Sequence, residues 1–382
     1  MTRIKIEKVI IGAFRNLTNK TFELDSNSCL TTFCGNNHIG KTNVLNAIMW
    51  CLTGMDLEDT KDIRQNIPNG TQITDDVPVV DVKVQLTTGS VRRTVVPSGK
   101  AMVTSVYIND TVVATKAAEA QIDKMLGILE LAIAHNTSKF NVRRFLLNPL
   151  YIEKLTPTDF RQFVMSFIKD KVSYNDHFKK LNEIQQKVLS EIKNSHDPSV
   201  IGAEIKSLVS QAKTEIQKKL IIVEYLTNKH SELQNETESL RKEIQQKEQQ
   251  LILLEQAEVA NNQLAISIKQ AYNEVCKDLF NGVEISLLEK SATIDSWVET
   301  CKPYLPNGVE FANGSTSEKI ILASKLATSV LERENIDIRL PMLIDEWETV
   351  DSKSSFNMTL NCQTQIIAAQ VKASKDNEIK LG

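Results

Sequence analysis

Gly35-Asn36-Asn37-His38-Ile39-Gly40-Lys41-Thr42 is the stretch that decides how this chain folds. It has the form G-x-x-x-x-G-K-[ST], a loop whose backbone N–H groups cradle phosphate. Its flanks supply the context the motif needs. Before it, Cys29–Cys34 is apolar and β-branched and reads as a buried strand. After it, Asn43–Cys51 places apolar residues at helical spacing. In a strand–loop–helix unit, the loop N–H groups and the helix N-terminus converge on an anion, and Lys41 adds a positive charge. Thr42 offers a hydroxyl to Mg²⁺.

Working outward, residues 3–12 and 18–24 read as two strands around Gly12–Leu17. Val80–Leu86, Val91–Val96 and Val103–Val113 read as β-segments separated by turn signals at Gly89, Gly99 and Asn109-Asp110. Thr115–Ala134 reads as a helix. Thr156-Pro157 opens another, after which helical pattern runs to about residue 280, broken at Asn194–Pro198.

A heptad occupies residues 223–254. Val223, His230, Thr237, Ile244 and Leu251 take one core position, and Leu226, Leu233, Leu240, Lys247 and Leu254 the other. A coiled coil and a long amphipathic helix in a bundle both fit this pattern. Residues 201–219 are the expected partner segment. Strand character returns at Gly282–Leu288, Leu340–Ile344 and Gln365–Gln370, with a helix at Ser317–Glu332. The fold class expected is therefore α/β, in three parts: a lobe at 1–172, a helical stalk at 173–265 and a second lobe at 266–382.

Composition narrows the function classes. Across 382 residues, 41% are hydrophobic and 24% charged, as in a globular domain, and the net charge of −3 gives no global basic field. Contact with nucleic acid would need local patches: Arg92-Arg93, Arg143-Arg144, Lys179-Lys180 and Lys218-Lys219. Cysteines 29, 34, 51, 276, 301 and 362 form no C-x-x-C pair, which suits a reducing cytoplasm and offers no zinc site. No run is long enough to span a bilayer, so no membrane partner is expected.

Two further stretches carry chemistry. Met342-Leu343-Ile344-Asp345-Glu346 is an apolar strand ending in two acids. Alone that is common; with a phosphate loop upstream, Asp345 suits the Mg²⁺ shell and Glu346 suits polarising the attacking water. Gly314–Ile320 opens a helix. Ser315 with Glu318 three residues on fits a plain capping box, and the same hydroxyl at a helix N-terminus fits an anion site.

A phosphate loop near the N-terminus, a helical insertion, then a serine signature and an Asp-Glu strand near the C-terminus is a layout that resembles the SMC-like ABC-type ATPases. It is most similar to the SbcC family, the ATPase subunits of SbcCD nucleases, and to short phage-encoded relatives. Ala13-Phe14-Arg15-Asn16 looks like the family's early turn, which implies Arg15 beside the nucleotide. Ser315–Ile320 is similar to the signature S-G-G-E-R-I, Asp345-Glu346 matches the Walker B pair, and Asp351 falls in the D-loop. Asn148 stands where the family has its Q-loop and Gln370 where it has a switch histidine. His38 and Ile39 replace small residues inside the loop, and Thr316 and Ser317 replace the signature glycines.

The resemblance implies ATP and Mg²⁺ as cofactors. It implies nucleotide contacts from Arg15, residues 35–43 and Asn148, Mg²⁺ ligands Thr42 and Asp345, and catalytic roles for Lys41, Glu346, Ser315 and Gln370. It also implies an ATP-dependent homodimer in which Ser315 completes the partner's site, a separate nuclease subunit, and DNA as the substrate. With no cysteine between Cys51 and Cys276, the zinc hook of the family is absent. Two other functions fit the same residues: a RecF-type DNA-loading factor without a nuclease, and a nucleotide-sensing ATPase of phage defence or counter-defence.

Overall fold

The computed structural model describes the chain apart from residues 1, 26, 61, 75, 100, 169–170, 193–194, 228–233, 294, 352–353, 355–363, 373–377 and 382. Cys362 and the heptad positions His230 and Leu233 lie outside the described residues.

In chain order the first strands are β1 (Thr2–Arg3), β2 (Ile6–Phe14), β3 (Leu17–Glu23) and β4 (Leu30–Gly35), followed by helix α1 (Lys41–Thr53). Then come β5 (Val80–Leu86), β6 (Gly89–Ser98), β7 (Ala101–Ile108) and β8 (Thr111–Val113). The helices α2 (Thr115–Met125), α3 (Leu129–His135), α4 (Val142–Leu147), α5 (Pro157–Ile168), α6 (Tyr174–Phe178), α7 (Glu183–Ile192), α8 (Pro198–Thr227) and α9 (Gln234–Leu279) follow. The chain ends with β9 (Glu284–Lys290), β10 (Trp297–Tyr304), α10 (Thr316–Arg333), β11 (Ile338–Arg339), β12 (Met342–Ile344), β13 (Ile366–Val371) and β14 (Lys380–Leu381).

The chain divides into two compact units. The first comprises residues 1–166, 277–284 and 303–382, and the second residues 167–276 and 285–302.

The first unit holds two main sheets. One is antiparallel, in the order β3-β2-β5-β6-β7-β8. The other has the order β12-β13-β4-β14, with β12, β13 and β4 parallel and β14 antiparallel at the edge. An N-terminal strand thus lies beside two strands that come from more than 300 residues further on. Helix α1 packs against strands of both sheets. That explains its sequence: Val44, Leu45, Ile48, Met49, Trp50 and Leu52 are all buried, so the helix is apolar around its whole circumference rather than along one stripe. Gln365, buried before β13, both donates to Ile6 O (3.0 Å) and accepts from Ile6 N (2.8 Å), which stitches β2 to the strand neighbouring β4.

In the second unit α8 and α9 pair as an antiparallel hairpin. Lys219 bonds Glu243, and Lys247 bonds Glu215 at 2.8 Å, so the two helices run past each other in opposite directions. Along α9 from Thr237 to Leu254 the heptad positions are the buried or half-buried ones. Beyond Leu254 the buried stripe moves to Ala257, Ala260, Leu264, Ala265 and Ile268, which pack with Val188, Leu189, Ile201, Ile205, Leu288 and Trp297. At about 1.5 Å per residue the 30 residues of α8 extend about 45 Å.

Two expectations change, and the structure adds one strand beyond those expected. The helix expected over Thr115–Ala134 is two helices, because Gly127 adopts φ +66° and ends the first. The partner of α9 is longer than residues 201–219, because Pro198 opens α8 at its first turn and no further proline follows before Thr227. Trp297–Tyr304, whose Thr-Cys-Lys-Pro stretch lacks clean alternation, is a strand paired with β9. No helix among the described residues is long and apolar enough to cross a membrane.

Candidate functional site

The parallel register sets the site. Gly35 pairs with Val371, and Ile344 with Ala368, so the loop after β4 and the Asp-Glu after β12 leave the sheet at the same edge. Crevices at the carboxyl ends of parallel strands are where open α/β sheets bind ligands. Here the crevice is a cleft of about 510 Å³ lined by Asn37, His38, Gly40, Lys41, Thr42, Asn43, Asp345, Glu346, Glu348, Ala369 and Val371.

The loop's curvature comes from left-handed residues. Gly35 has φ +153°, His38 φ +65° and Gly40 φ +105°. A Cβ on Gly40 would lie 2.7 Å from the Asn16 side chain and 3.0 Å from Leu17, so glycine is needed there for space as well as for φ. Lys41 starts α1 and is not surface-facing: it is 7% exposed, and its ammonium donates to the Asn36 carbonyl at 2.6 Å. The charge is thereby held over the loop's own backbone.

Thr42 Oγ1 donates to Asp345 Oδ1 at 3.1 Å. The backbone N–H of Glu346 donates to the same oxygen at 3.0 Å. Burial pushes the Asp345 carboxyl above its ordinary pKa; the Thr42 hydroxyl and the Glu346 N–H pull it back, while Glu348 and Glu58 push it further up. Glu346 is exposed and left-handed, with φ +54°, a costly conformation for a glutamate. It is held there by Trp347, buried one residue on, and by Thr349, whose N–H and hydroxyl both donate to Glu346 O (3.0 and 2.9 Å).

The residues present fit Mg²⁺. A hydroxyl and a carboxylate at hydrogen-bond distance are hard oxygen ligands of the kind this ion shares with nucleotide phosphates. Among the described residues no group of three His, Cys, Asp or Glu side chains could hold a metal ion.

Other expected site residues lie elsewhere. Arg15 is one step behind the cleft. Its guanidinium bonds the buried carboxylate of Asp56, Asn66 Oδ1 (3.3 Å) and Asn43 Oδ1 (3.2 Å), so it orients Asn43, which lines the cleft. Asn148 is buried between α4 and the following turn, donating its N–H to Arg144 O and accepting from Tyr151 N. Gln370 faces Cys34 at 3.8 Å. The cleft is lined by its neighbours Ala369 and Val371, and strand alternation places Gln370 on the other face. Ser315 caps α10: its hydroxyl accepts from Glu318 N (3.4 Å) and donates to Glu318 Oε2 (2.8 Å), and Ser315 N donates to the same oxygen (3.0 Å), a complete capping box. It is not among the residues lining this chain's cleft.

Sequence reading missed Glu348, Ala369 and Val371, which line the cleft, and Asp56, which fixes Arg15. Glu348 carried no signal in the sequence, since its place follows from the register of β13. The arginines expected in a nucleic-acid groove are otherwise engaged. Arg93 and Arg143 are 3% and 2% exposed and pair with Glu119, Arg143 also with Asp123. Arg92 pairs with Asp81, and Arg144 with Asp59. Lys219 pairs with Glu243, while Lys179, Lys180 and Lys218 are exposed.

The AAA domain family model matches residues 8–256, and the chain belongs to that family, a family of ATPases. Its fold is α/β, with the phosphate loop between β4 and α1 and a long helical insertion. Among solved structures the chain is similar to an Smc head domain with an extended coiled coil, bound to the C-terminal domain of ScpA and derived from Pyrococcus furiosus. The identity is 14% and the TM-score 0.43, over 99% of this chain and 96% of that one. It is also similar to the recombination mediator protein RecF with ATP, of the RecFOR pathway, at 14% identity and TM-score 0.41 over the same shares. No curated protein matches the chain.

Proposed function

We propose that this chain binds ATP with Mg²⁺ in the cleft at residues 35–43 and hydrolyses it, and that hydrolysis controls DNA processing in the manner of an SbcC-type ATPase. The observation that carries the reading is the Thr42–Asp345 hydrogen bond, with Glu346 next in sequence and Lys41 just before Thr42. Lys41 and the loop N–H groups bind the β- and γ-phosphates. Thr42 and Asp345 hold Mg²⁺, which when bound neutralises charge on the phosphate oxygens. Glu346, exposed beside them, orients the attacking water and accepts its proton.

Two heads facing each other would bring Ser315 of one against the cleft of the other. The Ser315 hydroxyl would then turn from Glu318 to a phosphate oxygen, exchanging one charge-assisted hydrogen bond for another. A separate nuclease subunit would supply the cutting chemistry.

The hairpin favours a second reading, a RecF-type loading factor. An arm of about 45 Å without cysteine between Cys51 and Cys276 suits a short clamp and offers no zinc hook. ATP turnover by the purified chain, with and without duplex DNA, tests the ATPase. Turnover stimulated by DNA, together with co-purification of a metallophosphoesterase-like nuclease, is the SbcC outcome. DNA stimulation with no nuclease is the loading-factor outcome. Turnover indifferent to DNA would replace both with nucleotide sensing, and no turnover would sink the ATPase reading.

A further inference from the structure

We infer that Glu348 is a positioning residue for hydrolysis, an inference that rests on the ATPase reading above. Its carboxylate acts as a clamp between the turn that carries Glu346 and the end of β13.

Three observations place it there. Glu348 lines the cleft with Asp345 and Glu346. Its Oε2 accepts a hydrogen bond from Val371 N at 3.3 Å, across 23 residues of sequence. Val371 is the last residue of β13, and the next residue, Lys372, donates its N–H to Gly35 O at 3.2 Å. Glu348 is therefore the first link of a short chain running from the Asp-Glu turn, through the end of β13, to the opening residue of the phosphate loop.

The turn needs such a link. Glu346 sits in a left-handed conformation at the N-cap of a single 3₁₀ turn, residues Trp347–Thr349. Trp347 fixes the turn to the core on one side, and Thr349 closes it locally. Glu348 is the residue of that turn bonded to the strand bordering the cleft. Without it, Glu346 keeps its chemistry and loses a support that sets its distance from the phosphates bound at residues 35–42. Misplacement on the ångström scale is enough to slow an oriented reaction strongly.

Glu348→Gln keeps a carbonyl oxygen that can accept from Val371 N; Glu348→Ala does not. Steady-state ATP hydrolysis and native-state amide exchange, the latter without nucleotide, are measured for wild type and both variants. The expected result for Glu348→Ala is a kcat lowered about ten- to a hundredfold, with KM for ATP changed less than about threefold. Exchange at Val371 should quicken in the same variant. Glu348→Gln should restore both the rate and the protection to near wild type.

Unchanged kcat in Glu348→Ala, unchanged protection at Val371, or a Gln variant as slow as the Ala variant would each overturn the clamp. The last of these would show that the charge itself matters. Failure of the wild type to hydrolyse ATP is a different result: it overturns the ATPase reading, and the positioning role with it, whatever Val371 exchange shows.

Discussion

Thr42 and Asp345 share a hydrogen bond of 3.1 Å although 303 residues separate them. That bond exists because β4 and β12 flank β13, all three parallel, and their C-terminal ends open at the same edge. The cleft is therefore built from segments far apart in sequence. Its two halves can be tested separately.

Lys41→Ala should weaken ATP binding about 10- to 100-fold, the loss of one charge-assisted contact of roughly 1.5–3 kcal/mol. Because Lys41 is mostly buried and bonded to Asn36 O, some stability goes as well, about 1 kcal/mol. Calorimetric titration with a nonhydrolysable analogue gives the first value, and denaturant unfolding the second. Unchanged affinity would remove the loop from the mechanism.

Glu346→Gln should bind ATP and turn it over about 10²- to 10⁴-fold more slowly, since the amide cannot take the water proton. If two heads close on ATP, this variant accumulates as a dimer with ATP and returns to monomer with ADP. Light scattering in each nucleotide decides between that and a permanent monomer, which would count against Ser315 acting in trans.

The phosphate loop and the Asp-Glu strand were legible because each combines a motif with a strand that ends there. Residues such as Glu348 were not. Nothing in Trp347-Glu348-Thr349 says that the middle residue meets Val371, since that contact depends on the register of β13. Arg93 and Arg143 show the same limit from the other side. A basic pair looks alike in sequence whether solvated or buried against Glu119 and Asp123. The hairpin was legible as a heptad, and its stripe change beyond Leu254 was not, because it follows from packing against Leu288 and Trp297.

Gly40→Ala should cost more than Gly99→Ala. Both positions have positive φ, +105° and +58°, so each carries the backbone penalty of about 1 kcal/mol or more. Only at Gly40 does a Cβ meet another side chain, 2.7 Å from Asn16; nothing lies within 4 Å at Gly99. Denaturant midpoints rank the two. The Gly40 variant should also lose nucleotide, since Asn16 holds Asn43 at 2.7 Å in the cleft. Equal midpoints would show that the loop relaxes around the methyl group.

Acid should destabilise the first unit through His135. Burial lowers its folded pKa, with Glu334 opposing, and its Nδ1 bonds the Ser166 hydroxyl at 2.7 Å. A depressed folded pKa means the unfolded chain takes up the proton first. The contribution is thus fully present above the unfolded value of about 6.5 and is lost as pH falls toward the folded value. Melting temperatures between pH 8 and 5 should fall less steeply in His135→Gln than in wild type. Parallel curves would assign the acid sensitivity to other groups.

The arginines separate stability from any DNA contact. Arg143→Ala leaves Asp123 without its buried partner and should cost about 3–5 kcal/mol, the usual loss when one member of a buried ion pair is removed. The Lys179→Ala/Lys180→Ala double variant removes two exposed charges and should change the unfolding midpoint little. If duplex DNA binds this surface, the lysine variant should lose affinity and flatten the dependence of log affinity on log salt by about 1.8, or 0.9 per phosphate contact removed. Sequence preference should not change, because backbone contacts carry no base information. A steep, unaltered salt slope in the lysine variant would move the DNA contact to another surface. No binding at low salt in ATP, in ADP or without nucleotide would leave the ATPase without a DNA substrate and favour the nucleotide-sensing reading.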